Sequence, residues 1–271
     1  MSATGFDPLR AAGRMCDRDQ DEFKDAVNAC MTGAPAQDLR KAEWPSEPRP
    51  EAYYGLAGEL VHTIEPHSEA DPAALLIQFL LGVGNLIGRG PYFRAEGDKH
   101  FSNLFAVIVG RTAKGRKGTS WGRISEVLRS VEDHYCSTRI LSGLASGEGL
   151  IWADRDPICE RMPVREKGRV VRYETVESDP GVSDKRLLVV EPEFARVLQV
   201  CEREANTLSA VIRQAWDTGS LRILTKRQPA QATDAHISIL GHITADEVRR
   251  LLTDTAVFGA RENVPSSAWL K

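Results

Sequence analysis

The sequence is poor in cysteine and lacks any cysteine pair at metal-ligand spacing. Its five cysteines are scattered over 271 residues, and none belongs to a C-x-x-C pair. Neither a disulfide framework nor a zinc site is therefore indicated. The amino-terminal residues do not form a signal-peptide pattern, so we expect a cytoplasmic protein.

The sequence also lacks a long apolar run and a strong net charge. Its most apolar stretch, residues 73–87, is interrupted by Gln78, Asn85 and several glycines. It is shorter than the roughly 20 apolar residues of a membrane span, which favours a buried packing helix and no membrane partner. The net charge of −3 gives no overall attraction to nucleic acid, so any such binding must come from local patches.

The most informative stretch joins an apolar strand to an amphipathic helix through a basic, glycine-containing loop. Residues 104–109 predict a strand that ends at Gly110, and a helical pattern begins near Thr119. Strand, glycine-rich turn and helix form the layout of a phosphate-binding loop, in which backbone N–H groups and the helix amino terminus attract phosphate. The alternative interpretation is a basic surface turn.

The spacing in this loop departs from the strict pattern G-x-x-x-x-G-K-[ST]. Gly110 and Gly115 have the required separation, but Arg116 stands at the lysine position. We predict that Lys117 binds phosphate and that Thr119 binds Mg²⁺. The full predicted nucleotide-binding set is Gly110, Thr112, Lys114, Gly115, Arg116, Lys117, Gly118, Thr119 and Ser120, with Ser120 as the substitute metal ligand.

An acidic pair follows the next apolar run of the chain. Residues 186–190 are continuously apolar after Arg186, which is typical of a buried parallel strand, and Glu191 and Glu193 follow around Pro192. An acid at the end of a core strand downstream of a phosphate loop is the Walker B arrangement. We expect Glu191 to bind Mg²⁺ and one acid of the pair to orient the nucleophile. The alternative is an acid pair that stabilises the start of the following helix.

Two further residues complete the predicted catalytic set. Glu148 lies between two glycines, and we predict that it stands at the end of a strand that includes residues 138–141. A catalytic glutamate ends a neighbouring strand in ATPases of the RecA and DnaB kind, and the alternative is a solvated turn acid. His242 follows a predicted strand at 236–240 and is a candidate γ-phosphate sensor, against the alternative of a structural histidine.

Several segments together resemble one family of bacterial and phage proteins, known as a domain of unknown function. Its members resemble the ATPase cores of primase-associated, DnaB-like helicases and often follow a primase-polymerase module. The resemblance covers roughly residues 50–255. The segments that carry it include NLFAVIVGRTAKGRKGTSWG, LSGLASGEGLI, RLLVVEPEFARVL, ANTLSAVIRQAWDTGSL and AHISILGHIT.

The resemblance implies a RecA-like P-loop α/β domain, with a mostly parallel sheet and helices on both faces. It implies ATP and Mg²⁺ as ligands, and single-stranded DNA and a primase-polymerase module as partners. It also implies a homo-oligomeric ring in which an arginine of the neighbour completes each site, with Arg196, Arg213 and Arg222 as donors to choose among. We predict a disordered tail at 1–50, a helical segment at 51–90, the ATPase-like core at 91–255 and an irregular tail at 256–271.

The expected activity is Mg²⁺-dependent ATP binding and hydrolysis coupled to DNA, in replication or mobile-element maintenance. The loop lacks the strict G-K-[ST] triplet, and residues 256–271 depart from the family pattern, which indicates a truncated chain. These departures favour a second expectation: a non-catalytic ATPase remnant that binds nucleotide or DNA without turnover.

Overall fold

The computed structural model describes residues 46–110, 117–166, 169–203, 206–224, 230–251 and 269–270; for Lys117, Glu166 and 269–270 the backbone alone is described. The tail predicted at 1–50 lies almost entirely outside these residues. The helices are α1 (Gly55–Ile64), α2 (Pro72–Leu86), α3 (Lys117–Val131), α4 (Asp133–Arg139), α5 (Gly147–Ala153), α6 (Phe194–Cys201), α7 (Leu208–Asp217) and α8 (Ala245–Leu251).

The strands fall into one parallel sheet and three antiparallel pairs. They are β1 (Tyr92–Ala95), β2 (Asp98–Phe101), β3 (Phe105–Gly110), β4 (Ile140–Leu141), β5 (Ile158–Glu166), β6 (Arg169–Asp179), β7 (Arg186–Glu191), β8 (Leu221–Arg222), β9 (Gln231–Ala232), β10 (His236–Thr244) and β11 (Trp269–Leu270). Four strands form the parallel sheet in the order β3, β10, β7 and β4, and the short β11 lies parallel to β3 on its other side. The predicted α/β class with a mostly parallel sheet is confirmed.

Helices cover both faces of this sheet, so the central strands are buried on both sides. In β7, Leu187 and Val189 pack in one hydrophobic cluster with α5, α6 and α7, whereas Leu188 and Val190 pack in another with α2. Alternate residues of a strand point to opposite faces, which explains why a continuous apolar run was needed here. The predicted buried strand at 186–190 is confirmed.

Helix α2 begins as its sequence predicts and lies against the sheet. The Asp71 carboxylate accepts hydrogen bonds from the backbone N–H groups of Ala73 and Ala74, at 2.9 and 3.3 Å, and Pro72 occupies the first turn. Near the other end, the buried Asn85 amide donates to the carbonyl oxygens of Leu187 and His236. None of the helices in the described part of the chain is long and apolar enough to cross a membrane.

Two antiparallel hairpins extend from this core. The first consists of β1 and β2, and the second consists of the longer β5 and β6, whose residues are nearly all exposed. One boundary differs in a way that matters for the site. The prediction ended the last core strand at Leu240, whereas β10 continues to Thr244 because β3 pairs with it along that length.

Candidate functional site

The carboxyl ends of the parallel strands meet at one edge of the sheet. In the register of the sheet, Thr244 of β10 lies opposite Gly110 of β3, and Gly241 of β10 lies opposite Glu191 of β7. After β3 the chain passes to β4 at one end of the sheet, whereas β11 lies beyond β3 at the other end. The crevice between β3 and β10 is therefore a topological switch point, where open α/β sheets bind ligands.

The predicted phosphate-binding loop lies between β3 and α3 in the sequence. Gly110 is the last residue of β3, and α3 begins at Lys117. Thr112, Lys114, Gly115 and Arg116 lie outside the described residues, as does the side chain of Lys117.

The first turn of α3 shows which predicted hydroxyl is accessible. Gly118 and Thr119 are exposed, whereas Ser120 is only 1% exposed. The Ser120 hydroxyl accepts a hydrogen bond from the Gln78 amide of α2, at 3.0 Å. This burial counts against the prediction that Ser120 can replace Thr119 as a metal ligand, because solvent and a metal ion reach Thr119 alone of the two.

The same Gln78 amide links α3 to the candidate sensor residue. Its Nε2 lies 3.3 Å from Nε2 of His242, which is 3% exposed within β10. Which of the two groups donates depends on the tautomer of His242. The other amide atom, Oε1 of Gln78, is buried without a hydrogen-bond partner in the described structure. Side chains thus connect α2 both to α3, which is the helix after the loop, and to β10.

Glu191 is held at the end of β7 by the loop that follows β4. One carboxylate oxygen, Oε1, accepts hydrogen bonds from the backbone N–H groups of Gly143 and Leu144, at 2.6 and 2.5 Å. The side chain is 8% exposed. This carboxylate joins the end of β7 to the loop after β4, and its second oxygen has no hydrogen-bond partner among the residues that the structure describes.

The other two predicted acids lie in different surroundings. Glu193 is exposed at the amino end of α6, where its side chain makes no capping hydrogen bond. The prediction that Glu148 ends a strand is wrong, because β4 ends at Leu141 and Glu148 lies in the first turn of α5. There its carboxylate accepts a hydrogen bond from the Thr207 hydroxyl at 3.0 Å, which connects α5 to the start of α7.

Outside the predicted set, the site uses residues that the sequence reasoning did not select. Gln78 is one of two buried amides, with Asn85, in the otherwise apolar helix α2, and a buried amide must find hydrogen-bonding partners. That rule could have marked it as a residue that reaches another element. Gly143 and Leu144 act through backbone N–H groups, for which the sequence carries no side-chain signal.

Comparisons with known proteins do not assign the chain to a family. No model of a protein family matches the chain, and no curated protein matches it. The family resemblance and its implied ligands therefore stay predictions.

A metal ion at this edge would need phosphate oxygens and water as ligands in addition to protein side chains. In the described parts of the chain, no three His, Cys, Asp or Glu side chains converge as a metal site. Mg²⁺ in nucleotide sites commonly uses one or two protein ligands together with phosphate oxygens and water. Thr119 and Glu191 are of the residue types that can supply these one or two protein ligands.

Proposed function

We propose that this protein is an Mg²⁺-dependent ATPase of the RecA-like P-loop class that acts on DNA, in replication or mobile-element maintenance. The observation that carries the proposal is the position of Gly110, which ends β3 at the switch point of a parallel sheet and is followed in the sequence by the basic, glycine-containing segment and then by α3. A crevice at a switch point and a helix amino terminus both favour phosphate.

The order of the strands supports the same proposal. The strand that precedes the loop and the strand that ends in Glu191 are separated by one strand, β10. This order sets the loop and the acid at the same edge of the sheet with one strand between them. The intervening β10 carries His242, so a polar side chain lies between the loop and the acid.

The proposed roles follow from these positions. Lys117 would neutralise the outer phosphates, Thr119 and Glu191 would hold the metal, and Glu193 would orient the attacking water. Mg²⁺ would supply charge neutralisation of the β- and γ-phosphate oxygens. His242 would report occupancy of the loop through Gln78, which lies within hydrogen-bonding distance of both His242 and Ser120. Arg196, Arg213 and Arg222 are exposed, as an arginine that serves a neighbour in a ring must be.

A second candidate function is nucleotide binding without turnover. It is favoured by the structural use of two acids: Oε1 of Glu191 holds the loop after β4, and Glu148 holds Thr207. A carboxylate that is fixed by its own fold is less free to organise water during hydrolysis.

The testing experiment measures MgATP binding and turnover, with and without single-stranded DNA, in the wild type and in Lys117→Ala. The matched control is Arg123→Ala, which removes an exposed cation from the same helix. We expect Lys117→Ala to lose binding and turnover by at least tenfold, since a lysine on the phosphates contributes more than a surface ion pair, and Arg123→Ala to keep both.

The outcomes separate the two candidates. Binding without turnover in the wild type would support the non-catalytic protein. A wild type that does not bind MgATP would overturn the nucleotide proposal altogether.

A further inference from the structure

A cleft lies at the opposite edge of the sheet, where β7 and β10 begin. The hairpin of β1 and β2 forms one wall, and the first residues of β7 and β10 form another. The cleft has a volume of about 390 Å³. This volume is within the range of small-ligand sites. The residues that line the cleft are different from those of the site at the carboxyl edge.

The charge in this cleft is positive and only partly compensated. It is lined by Arg89, Lys99, Lys185 and Arg186, with Asp234 as the one lining carboxylate. The last two cations are paired: Lys185 contacts Asp156 at 2.7 Å, and Arg186 contacts Glu132 and Asp184 at 2.8 Å each. Arg89 and Lys99 form no ion pair with any residue that the structure describes.

Arg89 is fixed in place by neutral groups. Its guanidinium donates to the carbonyl oxygens of Ala235 and Thr218, at 2.9 and 2.8 Å, and its Cζ lies 3.8 Å from the centre of the Phe101 ring. Burial lowers the pKa of Arg89, and the charge of Asp234 opposes this effect. A partly desolvated cation without a carboxylate contact favours an anion beside it.

The hairpin adds aromatic rings to the same wall. Tyr92 and Phe101 are cross-strand partners with ring centroids 5.9 Å apart, and the Lys99 ammonium lies 4.4 Å from the Tyr92 ring. Tyr92 is 49% exposed. Phe93, the next residue along β1, points to the opposite face of the hairpin and is 72% exposed.

We propose that this cleft binds a single strand of nucleic acid, with phosphates against Arg89 and Lys99 and a base on the ring of Tyr92. Cations along the backbone and aromatic rings under the bases are the features by which proteins bind single strands without reading sequence. The cleft is too small to admit a duplex. The inference rests on the nucleic-acid half of the proposed function and places that partner on the edge of the sheet opposite the nucleotide loop.

The test is a fluorescence-anisotropy titration of the full chain with a labelled oligo-dT, without nucleotide and at several salt concentrations. Tyr92→Ala should weaken binding about five- to hundredfold, as loss of one stacked base does. Lys99→Gln should reduce the salt slope by about 0.7 for the lost phosphate contact. Phe93→Ala removes an equally large ring from the other face and should stay within twofold of the wild type.

A further variant and other nucleic acids decide whether the inference holds. Tyr92→Phe retains the ring and should retain the affinity, so a loss equal to that of Tyr92→Ala would overturn the stacking role. A wild type that does not bind oligo-dT, an equal loss in Phe93→Ala, or equal competition by a duplex would overturn the inference. Oligo-rU that binds as oligo-dT does would support it, because the proposed contacts use phosphates and bases.

The nucleotide proposal is tested independently of strand binding in the cleft. Lys117→Ala should bind oligo-dT as the wild type does, because Lys117 begins α3 at the other edge of the sheet. Loss of strand binding in the cleft variants with MgATP binding retained would locate the defect in the cleft alone.

Discussion

The Glu191 carboxylate joins residues that are 48 and 47 positions away in the chain, through the N–H groups of Gly143 and Leu144. Its structural role and its proposed metal role use the same side chain but different oxygen atoms. A substitution that preserves an acceptor oxygen can therefore separate the two roles. An amide is such a replacement, since its carbonyl oxygen still accepts N–H hydrogen bonds.

We predict that Glu191→Gln keeps the stability of the fold and loses Mg²⁺-dependent turnover, whereas Glu191→Ala loses turnover and part of the stability. Two hydrogen bonds to a buried carboxylate disappear in the alanine variant, which should lower the free energy of unfolding by about 2–3 kcal/mol. The glutamine variant should stay within about 1 kcal/mol of the wild type. Urea unfolding and MgATP turnover measure the two effects. Equal destabilisation in both variants would contradict the assigned hydrogen bonds.

At the scale of elements, β10 and α6 approach each other closely beside the site. A Cβ atom added at Gly241 would lie 2.5 Å from Cδ2 of Phe194, the first residue of α6. Gly241→Ala should therefore push Phe194 away and lower the free energy of unfolding by about 1–3 kcal/mol. Thermal and urea unfolding would show the change.

The control for this prediction is Gly122→Ala in α3. A Cβ atom there meets nothing within 4 Å. The substitution should stabilise the protein by up to about 1 kcal/mol, because alanine favours helix over glycine. If both variants changed stability in the same direction, steric contact with Phe194 would not be the cause of the loss.

Elements with local signals were predictable from the sequence. The cap at Asp71 acts within three residues, and so does the capping box in which Thr244 and Glu247 bond each other through side chain and backbone. The buried strand β7 was evident from its apolar run. Glu148 was misplaced because its glycines fit a turn equally well. The structure shows a helix there, capped by the Ser146 side chain, which accepts a hydrogen bond from the backbone N–H of Gly149.

At the scale of the whole molecule, acid should weaken the fold through His236. This residue is 1% exposed, and its Nε2 lies 2.9 Å from the carbonyl oxygen of Gly84. Burial lowers the pKa of His236, the Gly84 carbonyl opposes this, and Arg89 and Arg186 add to the lowering. The unfolded chain therefore binds the proton more readily, so stability is present above about pH 6.5 and is lost as the pH falls below it.

We predict that the free energy of unfolding of the wild type falls more steeply than that of His236→Gln below about pH 6.5. The excess slope should be at most about 1.4 kcal/mol per pH unit, which corresponds to one proton. Glutamine can still donate to Gly84 but does not titrate. Urea unfolding at a series of pH values provides the measurement, and parallel profiles for the two proteins would refute the role of His236.

The order of the strands, the crevice between β3 and β10, and the cleft at the opposite edge could not be predicted from the sequence, for a physical reason. Each depends on contacts between distant residues, such as Arg89 with the carbonyl oxygen of Ala235, which are 146 positions apart. Hydrophobic patterns identify which segments are buried but not which segments pair. The loop after β3 was identifiable as a candidate, whereas its neighbours at the sheet edge were not, and neither was the link from Ser120 to His242 through Gln78.

The pairing of β3 also affects how the chain is made. Both strands that flank it, β10 and β11, come later in the sequence, and Phe105 pairs with Ile239 about 130 positions downstream. A ribosome that adds about 5–20 residues per second needs roughly 7–26 s to cover that distance. During this interval the apolar β3 has emerged without either flanking strand. Its edge is then open to pairing with other chains, so newly made protein should need chaperones more than the finished fold does.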